Sequence, residues 1–223
     1  MNIIESIKKI FSNHDKTYED LLYEEYGKCN PFNKKISIYF IADSHNYIAY
    51  NEERWKELEE ANRCDCCVLL GDHSAEDIDT ILRIVKDVPI YGVLGNHDDW
   101  ERYKNRNVIN IDGKVIDING VKIGGLSGSF KYKNSPYSPL YTHEESINII
   151  DNMGPCDIFV SHDKPYFEES NDVVHNGLKG ITKYIYKGHI PLHFHGHIHV
   201  NTETYLKNGT KSTCIYGLKK IEL

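Results

Sequence analysis

The sequence has no uninterrupted apolar run that approaches the ~20 residues needed to span a bilayer as a helix, so we expect no membrane partner. It also has no internal repeat and no low-complexity tract, which argues against a solenoid and against a disordered chain. The N-terminal residues mix Glu5, Lys8 and Lys9 with isoleucines. We therefore predict that there is no signal peptide and that the protein is cytoplasmic.

The sequence also lacks an excess of positive charge and a second cysteine pair. The formal net charge is −7, which argues against bulk attraction to nucleic acid. Cys64 and Cys67 form a Cys-x-x-Cys motif, but no second pair completes a zinc site. We interpret the cysteines as small buried hydrophobic side chains, and we expect no disulfides in a cytoplasmic protein.

The 223 residues are enough for one domain with a sizeable core, preceded by an N-terminal extension. Residues 1–35 carry isoleucine, leucine and tyrosine at helical spacing until Asn30-Pro31 breaks the pattern. We predict that this extension forms one or two amphipathic helices. These helices are expected to pack on the main domain, which comprises residues 36–223.

Strands and helices are predicted to alternate from residue 36 onward. Strands are expected at 36–42, 66–70 and 90–94, and helices at 51–62 and 76–86. This order predicts a parallel sheet whose connecting helices cover its faces.

The second half of the domain is predicted to be rich in strands. Asn119-Gly120 lies between two alternating segments and predicts a β-hairpin with a type I′ turn. Residues 127–142 are expected to be irregular, either as an active-site loop or as a plain surface loop. The remaining predicted elements are helices at 143–152 and 178–187 and strands at 156–160, 202–206 and 212–217.

Five short motifs place metal-binding side chains directly after predicted strands. They are Asp43-Ser44-His45, Gly71-Asp72, Gly95-Asn96-His97-Asp98, Ser161-His162 and Gly196-His197-Ile198-His199. Carboxylate, imidazole and amide groups along one sheet edge form a mixed oxygen and nitrogen donor set, suited to manganese, iron or zinc. One such motif means little, whereas five in succession predict a site for two metal ions.

The residue types also suggest individual roles at this site. Asp72 is the expected bridge, because a carboxylate has one oxygen for each ion. His97 is the leading candidate for the general acid that protonates the leaving oxygen. Asp98 either orients the His97 ring or caps the following segment. Glycines precede several of the ligands, where a β-carbon would crowd a tight turn of the backbone.

The five motifs, in this order, resemble those of the calcineurin-like metallophosphoesterase superfamily over residues 36 to about 200. The resemblance implies an α/β fold, a four-layered α/β/β/α sandwich of two mixed sheets, with 36–223 as the catalytic domain. It also implies that a metal-bridging hydroxide attacks a phosphate ester. Manganese is the favoured metal, with iron, zinc, nickel and magnesium as alternatives. The implied ligands are Asp43, His45, Asp72 and His199 for one ion, and Asp72, Asn96, His162 and His197 for the second.

The motifs do not select a substrate or an oligomeric state. We favour a phosphodiesterase acting on a nucleotide, a cyclic nucleotide or a nucleic-acid end, because the chain is shorter than the protein phosphatases of this superfamily. A phosphomonoesterase, including a protein phosphatase, is the alternative, and a non-catalytic scaffold is the third hypothesis. His97 argues against the scaffold, which has no need of a leaving-group acid. The aromatic residues of 127–142 either stack a base or pack the loop onto the domain; they are Phe130, Tyr132, Tyr137 and Tyr141.

Overall fold

The computed structural model of the protein describes residues 16–167 and 174–223. The first fifteen residues, where part of the predicted amphipathic extension falls, lie outside this description. In chain order the elements are α1 (Tyr18–Tyr26), β1 (Ser37–Ala42), α2 (Glu52–Leu58), a 3₁₀ helix (Glu59–Arg63), β2 (Cys66–Leu69), α3 (Ala75–Ile84), β3 (Ile90–Gly92), β4 (Ile109–Asn110), β5 (Lys114–Ile118), β6 (Val121–Leu126), β7 (Ser129–Phe130), β8 (Leu140–Tyr141), α4 (His143–Asp151), β9 (Ile158–Ser161), α5 (Lys179–Lys187), β10 (Leu192–His195), β11 (Thr202–Tyr205), β12 (Lys211–Cys214) and β13 (Gly217–Glu222).

Two mixed sheets form the centre of the molecule. The first has the order β13-β1-β2-β3-β4, in which β13 runs antiparallel to β1 and the other pairs are parallel. The second has the order β11-β12-β10-β9-β6-β5, with four parallel central strands and an antiparallel strand at each edge. Strands β7 and β8 form a separate parallel pair.

The alternation of side chains along the strands builds the apolar layers. In β1, Ile38 and Phe40 belong to the core between the two sheets, where the Phe40 ring stacks on Phe194 of β10. Tyr39 and Ile41 belong to a second core, which lies under α2 and α3. A third core joins the second sheet to α4 and α5. Helices, sheet, sheet and helices thus follow one another, and the predicted four-layered sandwich is confirmed.

The hairpin is confirmed, with its turn between β5 and β6. Asn119 and Gly120 have φ angles of 52° and 84°, as both central residues of a type I′ turn require. The predicted alternation of three strands and two helices is also confirmed in β1, α2, β2, α3 and β3.

The prediction of a single strand at 212–217 is wrong. Strand β12 ends at Cys214 in the second sheet, and β13 starts at Gly217 in the first sheet. Gly217 has a φ of 82°, a left-handed conformation that glycine adopts without steric cost, and this allows the chain to change sheets. The segment predicted as irregular, 127–142, contains the short strands β7 and β8.

Helix α1 lies against α5 on the outer face of the second sheet. Leu22 is buried in the same cluster as Ile181 and Ile185 of α5. The Tyr186 hydroxyl donates a hydrogen bond of 2.6 Å to the Glu19 carboxylate. The domain boundary at residue 36 stays a prediction. Among the helices of the described residues, none combines the length and the apolar character needed to cross a membrane.

Candidate metal centre

The candidate ligands lie where parallel strands of both sheets end. Asp43 follows β1, Asp72 follows β2 and Asn96 follows β3 of the first sheet. His162 directly follows β9 of the second sheet, and the His197 motif follows β10. The carboxyl ends of strands from both sheets therefore supply side chains to one place.

One group of donor atoms combines a buried carboxylate with two exposed imidazoles. Asp43, His45 and His199 each offer an atom, and these atoms all lie within 4.8 Å of one another. The Nε2 atoms of His45 and His199 are 3.2 Å apart, and His199 Nε2 is 3.6 Å from Asp43 Oδ1. The arrangement leaves this group open to solvent on the side of the two imidazoles.

A second group is buried. Donor atoms of Asp43, Asp72 and His162 also lie within 4.8 Å of one another. The Oδ1 atom of Asn96 is 2.9 Å from His162 Nε2. The Nδ1 atom of His162 donates to the carbonyl oxygen of Leu70 at 2.7 Å, which directs Nε2 toward the other donors.

Asp72 belongs to the buried group and also faces the exposed group, which shares Asp43 with it. Its Oδ2 atom is 3.9 Å from His45 Nε2 and 3.4 Å from His162 Nε2. Its Oδ1 atom accepts the backbone N–H of His97 at 2.8 Å. The sequence suggested one oxygen for each ion, whereas the structure turns a single oxygen toward both groups and engages the other with the backbone.

His197 lies beside the buried group, outside the two compact sets of donor atoms. Its ring centroid is 5.0 Å from that of His162. Its Nε2 atom is 3.2 Å from the carbonyl oxygen of Val174. An N–H at this position donates to the carbonyl, so the lone pair of His197 is on Nδ1.

The backbone at these motifs adopts conformations that few residues tolerate. The φ angles are 51° at Asp43, 40° at His45, 59° at Asp72, 70° at His197 and 55° at His199. Positive φ is uncommon outside glycine and costs of order 1–3 kcal/mol per residue. A cluster of such residues at one site indicates that the loops are shaped to present these side chains.

The glycines of the motifs are required by close packing. A β-carbon at Gly95 would lie 2.0 Å from Asp72 Oδ1, and one at Gly196 would lie 2.6 Å from Asp43 Oδ2. A β-carbon at Gly71 would lie 2.4 Å from the Gly95 nitrogen. These contacts confirm the expectation that a β-carbon would be crowded at these three positions.

The charges of the buried ionisable side chains favour the binding of a cation. Burial disfavours the His162 imidazolium, but the charges of Asp72 and Asp43 outweigh it and raise the pKa of His162 to about 10. Burial also disfavours the Asp72 carboxylate, but His162 lowers the pKa of Asp72 overall. Asp43 has a pKa raised to about 7, chiefly by burial. A divalent ion would replace the His162 proton and neutralise both carboxylates, so the donor set fits such an ion.

The two predicted catalytic residues differ in their surroundings. The His97 ring is exposed at the edge of the centre, 5.6 Å from the His45 ring. The Asp98 carboxylate is buried and accepts the backbone N–H groups of Gly95 and Asp72 at 2.8 and 2.9 Å. Among the described residues no hydrogen bond joins Asp98 to the His97 ring. The structure therefore places Asp98 as a support for the two loops.

Three residues at the site were not found from the sequence. The Asn96 Nδ2 group donates to the Tyr132 hydroxyl at 3.1 Å, which turns Asn96 Oδ1 toward His162. His73 Nδ1 is 2.8 Å from the Ser44 hydroxyl, and the His175 ring lies 4.9 Å from the ring of the candidate ligand His197. Two of them had a signal in the sequence, since Tyr132 falls in the loop predicted near the motifs and His73 directly follows the candidate ligand Asp72.

Comparison with known proteins agrees with this architecture. A model of the calcineurin-like phosphoesterase family matches residues 36–201 of the chain. A phosphopantetheinyl hydrolase from Mycobacterium tuberculosis has a similar fold, with a TM-score of 0.57 and 13% identity over 84% of this chain and 96% of that one. A dimetal phosphatase from Danio rerio gives a TM-score of 0.51 and 12% identity over 83% and 88%. A search of curated proteins found no match to the chain.

Proposed function

We propose that this protein, which belongs to the calcineurin-like phosphoesterase family, is a phosphodiesterase that uses two divalent metal ions. Manganese is the favoured metal, with iron, zinc, nickel and magnesium as alternatives, because the donors mix imidazole nitrogen with carboxylate and amide oxygen. The substrate class we propose is a nucleotide, a cyclic nucleotide or a nucleic-acid end.

The observation that carries the dinuclear proposal is the position of Asp72. Its Oδ2 atom lies within 4 Å of both His45 Nε2 and His162 Nε2, so one atom faces both groups of donors. A carboxylate in this position is suited to bridge two ions. The proposed ligands are Asp43, His45, Asp72 and His199 for one ion, and Asp72, Asn96, His162 and His197 for the other.

The chain's own residues would divide the remaining work. When bound, two ions would supply a hydroxide nucleophile at neutral pH and would neutralise the charge of the phosphate. His97 is proposed to donate a proton to the leaving oxygen, since its exposed ring lies 5.6 Å from the ring of the proposed ligand His45. Asp98 would act by holding the loops of Gly95 and Asp72, and Tyr132 would act by orienting the Asn96 amide.

A diester is favoured because the centre is open to solvent beside its two exposed imidazoles. Asp43, Asp72 and His162 are buried, while His45 and His199 have side chains 38% and 48% exposed. The open face leaves room for a second ester group beyond the reacting phosphate. A phosphomonoesterase is the alternative, and the same experiment separates the two.

The test combines metal analysis with a substrate panel. Protein loaded with manganese should hold two ions per chain and should hydrolyse bis-p-nitrophenyl phosphate with a higher kcat/KM than p-nitrophenyl phosphate. Cyclic nucleotides complete the panel. A higher kcat/KM for the monoester would replace the diesterase by the monoesterase. One ion per chain, or no manganese-dependent hydrolysis of any ester, would contradict the proposal.

A matched pair of variants ties the activity to the centre. Asp72→Asn should lower kcat/KM by more than roughly 10–100-fold, the loss that follows removal of an outer-shell partner of a metal, because it changes the proposed bridge itself. Asp79→Asn is the control, since Asp79 is an exposed residue of α3 that pairs with Arg106. Equal activity of the two variants would remove Asp72 from the mechanism.

A further inference from the structure

A cavity of about 540 Å³ opens beside the candidate metal centre. Asp43 and Ser44 form one part of its lining, and Leu218 forms another. Two tyrosines also line it, Tyr47 and Tyr216, which are 52% and 46% exposed. This volume lies within the range of cavities that hold small organic ligands. An open aromatic surface is therefore continuous with a residue proposed to bind metal.

Each of the two tyrosine rings is held by a neighbouring side chain. The Arg54 guanidinium lies 5.0 Å from the centroid of the Tyr47 ring and also donates to the Tyr47 hydroxyl at 3.1 Å. The His199 ring stacks on Tyr216, with centroids 5.2 Å apart and planes 25° apart. About half of each tyrosine remains exposed. Rings fixed in this way can stack on a flat ligand at little entropic cost.

The backbone that carries the two rings is held as firmly. The Asn201 side chain donates to the Tyr216 carbonyl at 3.2 Å and accepts the Tyr216 N–H at 3.1 Å. The buried Asp77 carboxylate accepts the N–H groups of Asn46 and Ile48, on either side of Tyr47, at 2.7 and 3.0 Å. The tyrosines are thus positioned before any ligand arrives.

We propose that this tyrosine cavity binds the nucleoside part of a phosphate ester, with the base stacked on Tyr47 and Tyr216. The inference rests on the proposed function, since the phosphate must lie at the metal centre for the base to reach the cavity. The lining contains no residue of 127–142, the loop in which the sequence suggested base stacking.

The test compares two ligands that differ only in the base. Calorimetry on the manganese-loaded protein would measure the Kd of adenosine 5′-monophosphate and of ribose 5-phosphate. Stacking on aromatic side chains is worth about 1–3 kcal/mol per base, so the nucleotide should bind roughly 5- to 150-fold more tightly. Tyr47→Ala and Tyr216→Ala should each reduce this preference and leave the Kd of ribose 5-phosphate within about twofold. Tyr47→Phe should keep the preference, because the ring remains.

Tyr137→Ala is the matched control, because Tyr137 is another exposed tyrosine and lies outside this cavity. It should leave both Kd values unchanged. Metal content is measured for every variant, since Tyr216 stacks on the candidate ligand His199. Equal binding of the two ligands by the wild type, or a preference that survives Tyr47→Ala and Tyr216→Ala, would overturn the inference. If the esters of the panel are hydrolysed while the base preference is absent, the proposed function stands and this inference alone fails.

Discussion

His97 offers two groups to the candidate centre, and they serve different purposes. Its backbone N–H donates to Asp72 Oδ1 at 2.8 Å, while its ring is exposed beside His45. A substitution removes the ring and keeps the N–H. The support of Asp72 is therefore separable from any proton transfer by the side chain, which makes His97 the residue where the mechanism can be tested most directly.

His97→Ala is expected to keep both metal ions and to lose activity according to the leaving group. A general acid contributes roughly 10²–10⁴-fold when the leaving oxygen is a poor leaving group. We expect a loss of this size in kcat/KM on an alkyl or nucleoside phosphodiester. The loss on bis-p-nitrophenyl phosphate should be much smaller, because p-nitrophenolate is stable near neutral pH.

His189→Asn is the control for this measurement. His189 lies outside the candidate centre and has a φ of 50°, which asparagine tolerates. It should match the wild type on both substrates. Equal losses on the two substrates in His97→Ala would mean that the ring positions the phosphate, and no loss on either would remove it from the mechanism.

The residues of the candidate centre were predictable where the signal is local. Each motif places a donor within a few positions of a strand end, and the structure brings Asp43, Asp72 and His162 within a common 4.8 Å. Tyr132 was not predictable as a partner of Asn96, because the two are 36 positions apart and their contact depends on the loop conformation. The different partners of the two Asp72 oxygens were likewise not predictable, because they depend on the folded backbone.

At the scale of elements, prediction succeeded where a segment carries its own pattern. The hairpin has a turn dipeptide and alternating strands, and it forms as predicted between β5 and β6. Strands β4, β7 and β8 have two residues each, too few for a periodic pattern. The strand predicted at 212–217 failed for another reason. The apolar residues Cys214, Ile215 and Tyr216 span the division, and only pairing with β10 on one side and β1 on the other separates β12 from β13.

Helix α1 is expected to contribute to stability through one face. Leu22 is buried against α5, whereas its neighbour Leu21 is 44% exposed. Leu22→Ala should lower the free energy of unfolding by about 2 kcal/mol or more, as core truncations of leucine do. Leu21→Ala, the matched control, should change it by less than about 0.5 kcal/mol. Urea unfolding would measure both.

Metal content separates this structural role from a part in the centre. No candidate ligand precedes residue 36, so the folded Leu22→Ala protein should bind as much manganese as the wild type. Equal destabilisation by the two substitutions would show that α1 does not depend on the buried face. Loss of metal from a folded variant would show that α1 supports the centre.

The whole molecule is organised so that its two sheets meet at the candidate centre. The first sheet supplies Asp43, Asp72 and Asn96, and the second supplies His162 and the His197 motif. The order of the motifs indicated this fold, but the arrangement of the two sheets relative to each other could not be predicted from the sequences of their strands. Bound ions would therefore add to the apolar packing between the two sheets and to the hydrogen bonds that already join their edges, such as that from His162 Nδ1 to the Leu70 carbonyl.

This connection predicts a large effect of metal on thermal stability. A ligand that binds only the folded state at 100 times its Kd stabilises it by about 2.7 kcal/mol, which for a chain of this length raises Tm by roughly 5–10 °C per ion. Differential scanning calorimetry of chelated and manganese-loaded protein would measure the shift. Asp79→Asn should show the full shift.

Asp72→Asn should lose the shift for both ions, because its oxygen faces both groups of donors. Without metal this variant should melt below the chelated wild type, since it removes a carboxylate that balances the buried His162 imidazolium. His199→Ala should lose only the part of the shift that comes from the exposed group, because His199 lies near Asp43 and His45. If Asp72→Asn kept the full shift, Asp72 would not be a ligand of either ion, and Asp43 would be the residue that the two groups of donors share.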